Sequence, residues 1–195
     1  MTLLMTLVSV ASVTPVQARQ VESEIRSIFE QRDSDIKNIL GADGEITSEQ
    51  EDLLRHAVND MFDFGAMGSA ALGRHWADLS SAQQVEFVDV FADIVRHQSL
   101  ADVDIYRARV TYDDVTVTGE QARVMTTTTY KDVPTQVEYL LSLSGSTWLA
   151  TDVILDEVST VDGYSRSFQS VIRKRGFDAL MSSLNRRLER TRTEG

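Results

Sequence analysis

The hydrophobic period changes twice along this chain, and that change constrains the fold more than any single motif does. As far as about residue 100, apolar residues recur at helical spacing: Val21, Ile25, Ile28, Phe29, Ile36, Ile39 and Leu40, closed by Gly41; then Leu54, Ala57, Val58 and Met61; then Phe87, Val88, Phe91, Ile94 and Val95. From about Arg107 the period is two, with Val115 and Val117, then Val124, Thr126 and Thr128, then Val137, Tyr139, Leu141 and Leu143, then Leu149, Val153 and Leu155. Gly119, Asp132-Val133-Pro134 and Gly145 separate these runs as turn signals. After Gly163 the helical period returns in Phe168, Val171 and Ile172, then in Phe177, Leu180, Met181, Leu184 and Leu188 beyond Gly176. Helices followed by strands followed by helices imply an α+β fold: a twisted antiparallel sheet of about four strands in a meander, with helices packed on one face. Thr47-x-x-Gln50 and Ser81-x-x-Gln84 read as capping boxes opening the second and third helices.

At 195 residues the chain is long enough for one domain with a sizeable core. No linker or repeat divides it. Residues 1–18, MTLLMTLVSVASVTPVQA, carry no charge and end in the small-x-small pattern Val16-Gln17-Ala18, as a secretory leader does before its cleavage site. The basic residues that usually begin such a leader are missing. The stretch is short for a bilayer span and is broken by Pro15. The expectation is a leader over 1–18 and one mature domain over 19–195, exported from the cytoplasm.

The absence of cysteine excludes thiol catalysis, Cys-based zinc sites and disulfides. The formal charge of −11 is uneven: Arg166 to Gly195 holds eight Lys/Arg against three Asp/Glu, so the remaining chain carries −16. An acidic body with a basic tail lacking interleaved aromatics argues against nucleic acid. A basic C-terminal helix suits an anionic lipid surface or an acidic partner, and equally a solvated face that complements its own helix dipole.

Signs of catalysis are few. His56, His75 and His97 lie on separate segments without metal-ligand spacing. Gly65 to Ser69 reads GAMGS, with the serine misplaced for a nucleophile elbow. Asp152 and Asp156-Glu157 offer no sequence reason for a raised pKa. Neither a catalytic residue, a metal site nor a cofactor is expected.

Three segments carry a resemblance: DFGAMGSAALGRHWADLSSAQQVEF from Asp63 to Phe87, WLATDVILDEVSTVDGYSRSF from Trp148 to Phe168, and RKRGFDAL from Arg173 to Leu180. In this order they resemble the MlaC and toluene-tolerance family of periplasmic phospholipid-binding proteins, which serve an ABC transporter that maintains outer-membrane lipid asymmetry. The shared markers are Asp63-Phe64, Met67, Ala71-Leu72-Gly73, Trp76, Trp148, Asp152-Val153, Val158-Ser159, Tyr164, Phe168 and Gly176. The chain departs from the family at Ser165, where an arginine usually follows the tyrosine, and at Ser99, where an aromatic is expected.

The resemblance implies a carrier that is not an enzyme and that shuttles a glycerophospholipid through the periplasm. Its partners would be an inner-membrane ABC transporter complex, an outer-membrane lipoprotein complex and, transiently, the membrane surface. The physical need is clear, since moving roughly 30 methylenes out of water gains on the order of 20 kcal/mol at about 0.8 kcal/mol per CH₂. An apolar cavity supplies that without any reactive group. The candidate wall residues are Phe87, Phe91, Val137, Tyr139, Leu141, Val153, Tyr164, Phe168 and Ile172. Two other readings stay open: an enzyme on a cone-like α+β scaffold, which needs a convergent His or carboxylate in its pocket, and a non-ligand periplasmic adaptor, which needs a closed core.

Overall fold

The computed structural model describes residues 15–100 and 102–194. Residues 1–14 of the expected leader therefore lie outside the described residues, and Pro15 begins the first helix, α1 (Pro15–Leu40). Its apolar stripe serves two neighbours. Ile25 and Phe29 pack on the sheet, against Val115, Val124 and Leu141, whereas Ile36 and Leu40 pack on Leu54 and Val58 of α2 (Ser48–Asn59). Arg107 closes the C-terminus of α1 by donating to the carbonyls of Leu40 (3.0 Å), Gly41 (3.2 Å) and Gly44 (2.9 Å), which satisfies acceptors the helix leaves open.

The capping box of α2 forms as its sequence suggests: Gln50 N–H donates to the Thr47 hydroxyl and Thr47 N–H to the Gln50 side chain. The box of α4 (Ser81–Ser99) is Ser80 with Gln83, one residue earlier than the expected Ser81 and Gln84. Gln84 has a different task, donating its amide to the Trp76 carbonyl at 3.0 Å and tying α4 to the 3-10 segment Gly73–Asp78. Just before that segment lies α3 (Phe64–Leu72), a helix that periodicity does not reveal because it is apolar on nearly every side. Asp63 caps it through Ala66 N–H (2.8 Å). Gly68 lets α3 approach α4, since a Cβ there would sit 3.1 Å from Phe87 Cε1.

A second short 3-10 turn, Val103–Arg107, leads into a five-stranded antiparallel meander in the order β1-β2-β3-β4-β5. Its strands are β1 (Arg109–Thr118), β2 (Gln121–Tyr130), β3 (Val133–Ser144), β4 (Thr147–Leu155) and β5 (Val158–Ser159). Two bulges reset which residues face inward. Asp113 is extra in β1, so Val110 and Tyr112 share the inner face with Val115 and Val117. Thr151 is extra in β4, so Trp148 and Ala150 share it with Val153 and Leu155, whose partners are Tyr139 and Val137. Leu149, grouped by simple alternation with Val153, faces the other way.

The turns at the two ends of the sheet differ in kind. At one end, Gly119 (φ +62°) and Gly145 (φ +61°) take the left-handed positions. At the other, Lys131-Asp132 (φ +50° and +63°) and Asp156-Glu157 (φ +44° and +68°) take them with full side chains. The β2–β3 turn is thus Lys131-Asp132, while Val133 and Pro134 belong to β3; Pro134 is tolerated where β3 runs past the end of β4. The open edge of β4 is shielded by the segment before α3, with Ala150 N–H donating to Met61 (2.7 Å) and Asp63 N–H to Ala150 (2.9 Å).

Two final helices complete the chain, α5 (Thr160–Arg175) and α6 (Phe177–Glu194). With α3 and α4 they bury Phe87, Phe91, Phe168, Leu180 and Leu184 in a cluster of their own. Phe168 meets Phe87 edge-on at 5.8 Å and Phe91 at 6.1 Å. Among the described residues, no helix is long and apolar enough to cross a membrane.

Candidate functional site

The helices α3 to α6 turn Phe87, Phe91 and Phe168 toward one another and not toward the sheet. The result is a hollow of about 600 Å³ between the helical cluster, α1–α2 and the inner face of the sheet. That volume falls within the roughly 300–1,000 Å³ typical of small-molecule sites. From the sheet, Val110, Tyr112, Thr126, Thr128, Val137, Tyr139, Val153 and Leu155 line it. Phe29 and Ile36 of α1, Val58 of α2, Phe62, Met67 of α3 and Val95 of α4 close it from the other sides.

Most of this wall is apolar, and its polar atoms are largely bonded within the protein. Tyr112 donates its hydroxyl to the Phe29 carbonyl (3.0 Å), Tyr106 to the Ser99 carbonyl (2.7 Å) and Thr126 to the Val137 carbonyl (3.1 Å). Tyr164 bonds the Gln98 side chain, joining α5 to the end of α4. Asp33 pairs with Lys37 at 2.8 Å, and Arg32 donates to the Ala57 carbonyl at 3.1 Å. Burial pushes the Tyr139 phenol up to about 12, helped by the Asp33 carboxylate. Burial likewise pushes Tyr106 up to about 12, with Tyr139 adding to it against the bond to Ser99. Tyr112 is raised by burial first, then by Asp33, and Tyr164 by burial against the nearby Arg187. The phenols are therefore neutral donors, poor bases and poor nucleophiles at ordinary pH.

One end of the hollow is open. Ile105, Val133 and Leu155 line it there and remain 43%, 61% and 47% exposed, and Val158 on β5, 60% exposed, lies beside Leu155. Tyr130 and Lys131 form part of the same rim, the Lys131 ammonium lying 4.6 Å from the Tyr130 ring centroid. None of the three histidines lines the hollow, and among the described residues no group of three His, Asp or Glu comes together as a metal set.

Of the nine wall residues expected from the sequence, the structure brings Val137, Tyr139, Val153 and Tyr164 together on the hollow. It places the other five elsewhere. Phe87, Phe91 and Phe168 are consumed by the helical cluster, and Ile172 packs on that same cluster. Leu141 lies with Ile25 and Ala150 in the contact between α1 and the sheet, one inward position beyond Tyr139 on β3 and two beyond Val137. The reason is common to all five: an inward-facing position meets whichever layer is nearest, and only the mouth half of the sheet lacks one. Sequence reasoning missed Thr126 and Thr128, whose inward parity was legible but whose small size was the telling signal. It also missed Tyr112, which the Asp113 bulge hides.

With this geometry in hand, comparison with known proteins is informative. A family model described as MlaC protein matches residues 30–186. No curated protein matches the chain. Among solved structures, a phospholipid-binding protein from Ralstonia solanacearum, determined in complex with a phospholipid, superposes with a TM-score of 0.71 at 19% identity, covering 87% of this chain and 97% of that one. At that identity the likeness establishes the α+β fold.

Proposed function

This chain belongs to the MlaC family, and from that premise we propose that it is a periplasmic carrier that takes up a glycerophospholipid in the hollow between sheet and helices. The observation that carries the reading is the hollow itself: about 600 Å³, mostly apolar and open at one end. A closed core would have favoured an adaptor. The similar fold of the Ralstonia solanacearum protein bound to a phospholipid supports the same use. The acyl chains would lie on Val137, Tyr139 and Val153, with the head group toward the exposed rim of Ile105, Val133 and Leu155. In this reading residues 1–18 direct export, residues 19–195 form the carrier, and the cargo passes between an outer-membrane lipoprotein complex and an inner-membrane ABC transporter complex, sustaining outer-membrane lipid asymmetry.

Native mass spectrometry of the gently purified protein tests the reading, with phospholipid expected on the chain. Transfer of labelled phospholipid from donor to acceptor vesicles is expected to accelerate when the protein is added. A lipid-free preparation that also fails to load from vesicles would refute it.

A further inference from the structure

The hollow is mostly apolar, and an exception lies well inside it. Tyr106, Tyr112 and Tyr164 commit their hydroxyls to Ser99, Phe29 and Gln98. The Tyr139 hydroxyl has no hydrogen-bond partner among the described residues, although its ring is held edge-on by Phe29 at 5.1 Å. Nor is that oxygen sealed in by its neighbours, as the unpartnered side-chain amide of Asn59 is, so it borders the hollow that Tyr139 lines. A buried donor left unpaired is destabilising, and native proteins keep few of them.

An acceptor faces the same space. Asp33 of α1 lines the hollow, and its carboxylate is near enough to help hold Tyr139 and Tyr112 protonated. It accepts from Lys37 at Oδ2 (2.8 Å), while Oδ1 has no partner among the described residues. Arg32, beside it on the wall, donates to the Ala57 carbonyl at 3.1 Å. An unfilled donor and an unfilled acceptor suit a hydroxyl group, which accepts and donates at once. An ester or ether oxygen answers only Tyr139. A carboxylate would bring a second negative charge to Asp33 and give up its hydration in an apolar space.

The depth of the pair says where on a ligand that hydroxyl must lie. Tyr139 stands six residues, about 20 Å of strand, from Val133 at the rim. Asp33 stands seven residues, about 10 Å of helix, before the end of α1, which Arg107 ties to the turn carrying Ile105. A C–C bond of about 1.5 Å advances an extended chain by roughly 1.3 Å per carbon, so this depth corresponds to roughly the eighth to the fifteenth carbon. Resting on the carrier reading above, we propose that Tyr139 and Asp33 form a site for a hydroxyl in the middle of a cargo acyl chain, selecting mid-chain hydroxylated lipids over unsubstituted ones.

The test is exchange with vesicles holding equal parts of two phosphatidylethanolamines that differ in one chain: stearoyl, or stearoyl with a hydroxyl on its twelfth carbon. Mass spectrometry of the bound lipid gives their ratio. Wild type is expected to enrich the hydroxylated lipid about fivefold, the scale of one net hydrogen bond. The isomer with its hydroxyl on the third carbon, offered against stearoyl in a separate mixture, should not be enriched. Tyr139→Phe should bring the ratio for the twelfth-carbon lipid down to that of the vesicles, and thermal unfolding checks that this variant is folded.

Uptake of both lipids by wild type in the vesicle ratio would overturn the proposal and leave the carrier reading intact, with the pair holding only water. Enrichment that persists in Tyr139→Phe would mark a general bias toward the more polar lipid and overturn it equally. Where that variant does not fold, wild type decides, since equal enrichment of the two isomers refutes a site at this depth. Preference for a lipid whose shortened chain ends in a carboxyl would make Arg32 the receiving group and overturn the hydroxyl assignment. If wild type takes up no lipid of any kind, the carrier reading falls and this proposal falls with it.

Discussion

At Asp152 a single carboxylate accepts from the amides of Val153 (2.8 Å) and Val161 (3.0 Å) and from the Ser159 hydroxyl (2.5 Å), fastening the start of α5 to the end of β4. The segment that supplies cavity residues Val153, Leu155 and Tyr164 hangs on this joint. Asp152→Ala strands three donors and is expected to cost about 2 kcal/mol, the usual scale for lost caps and charged hydrogen bonds. Urea unfolding measures it, and a loss under about 0.5 kcal/mol, the range of an ordinary surface change, would show that the joint is replaceable. The phenols on the wall make a second prediction. Tyr139 and Tyr106 are held near 12 in the fold against 10.0 when free. Above pH 10 the unfolded chain sheds those protons while the fold keeps them, so stability is full below about 10 and falls as pH rises toward 12. Thermal midpoints taken across that range should drop more steeply in wild type than in Tyr106→Phe or Tyr139→Phe. Parallel curves would mean the phenols ionise as easily folded as unfolded.

The elements divide between those that stabilise and those that leave room. Phe87 sits fully buried among Phe91, Phe168 and Phe177, so Phe87→Ala is expected to destabilise by about 3–5 kcal/mol. Thr128 on β2 faces the hollow instead, and Thr128→Trp should keep the protein folded while reducing bound lipid per chain. Unchanged lipid in Thr128→Trp would mean that the acyl chains lie elsewhere. This division also explains what the sequence could and could not disclose. The switch from helical to alternating spacing sufficed to place α1, α2, α4, α5, α6 and the four long strands. It was silent on α3, whose FGAMGSAAL is apolar all round, and on β5, two residues long. The bulges at Asp113 and Thr151 defeated parity, concealing Tyr112 and misplacing Leu149. For the cavity the failure was deeper. Phe87, Phe91 and Phe168 carry the strongest inward signal on their helices, and for that reason they meet each other. A hollow is bounded by residues that no opposing layer covers completely, and alternation marks direction without saying what stands opposite.

Across the whole molecule the charge is as unequal as the packing. Arg173, Lys174 and Arg175 end α5, and Arg186 and Arg190 continue the basic character along α6, all of them exposed. The rest of the chain, by contrast, carries −16. Part of this basic charge answers the dipole of α5, a contribution of about 0.3–1 kcal/mol per residue at a helix end. That role concerns only the last turn and leaves Arg186 unexplained. On the carrier reading proposed above, the protein would approach anionic surfaces with a body that they repel, and a localised basic face would give the approach an orientation. Such steering is screened over about 8 Å at physiological ionic strength, so it should fade as salt is raised. Lys174→Gln, Arg175→Gln and Arg186→Gln together remove three charges without introducing repulsion. The triple variant is expected to exchange lipid with anionic vesicles more slowly than wild type at low salt, and the two rates should converge as salt increases. Its complement of lipid already bound should not change, because none of the three residues lines the hollow. Stopped-flow transfer of a labelled phospholipid provides the measurement. Equal rates at every salt concentration would return these residues to the role of a solvated helix face that only balances its own dipole.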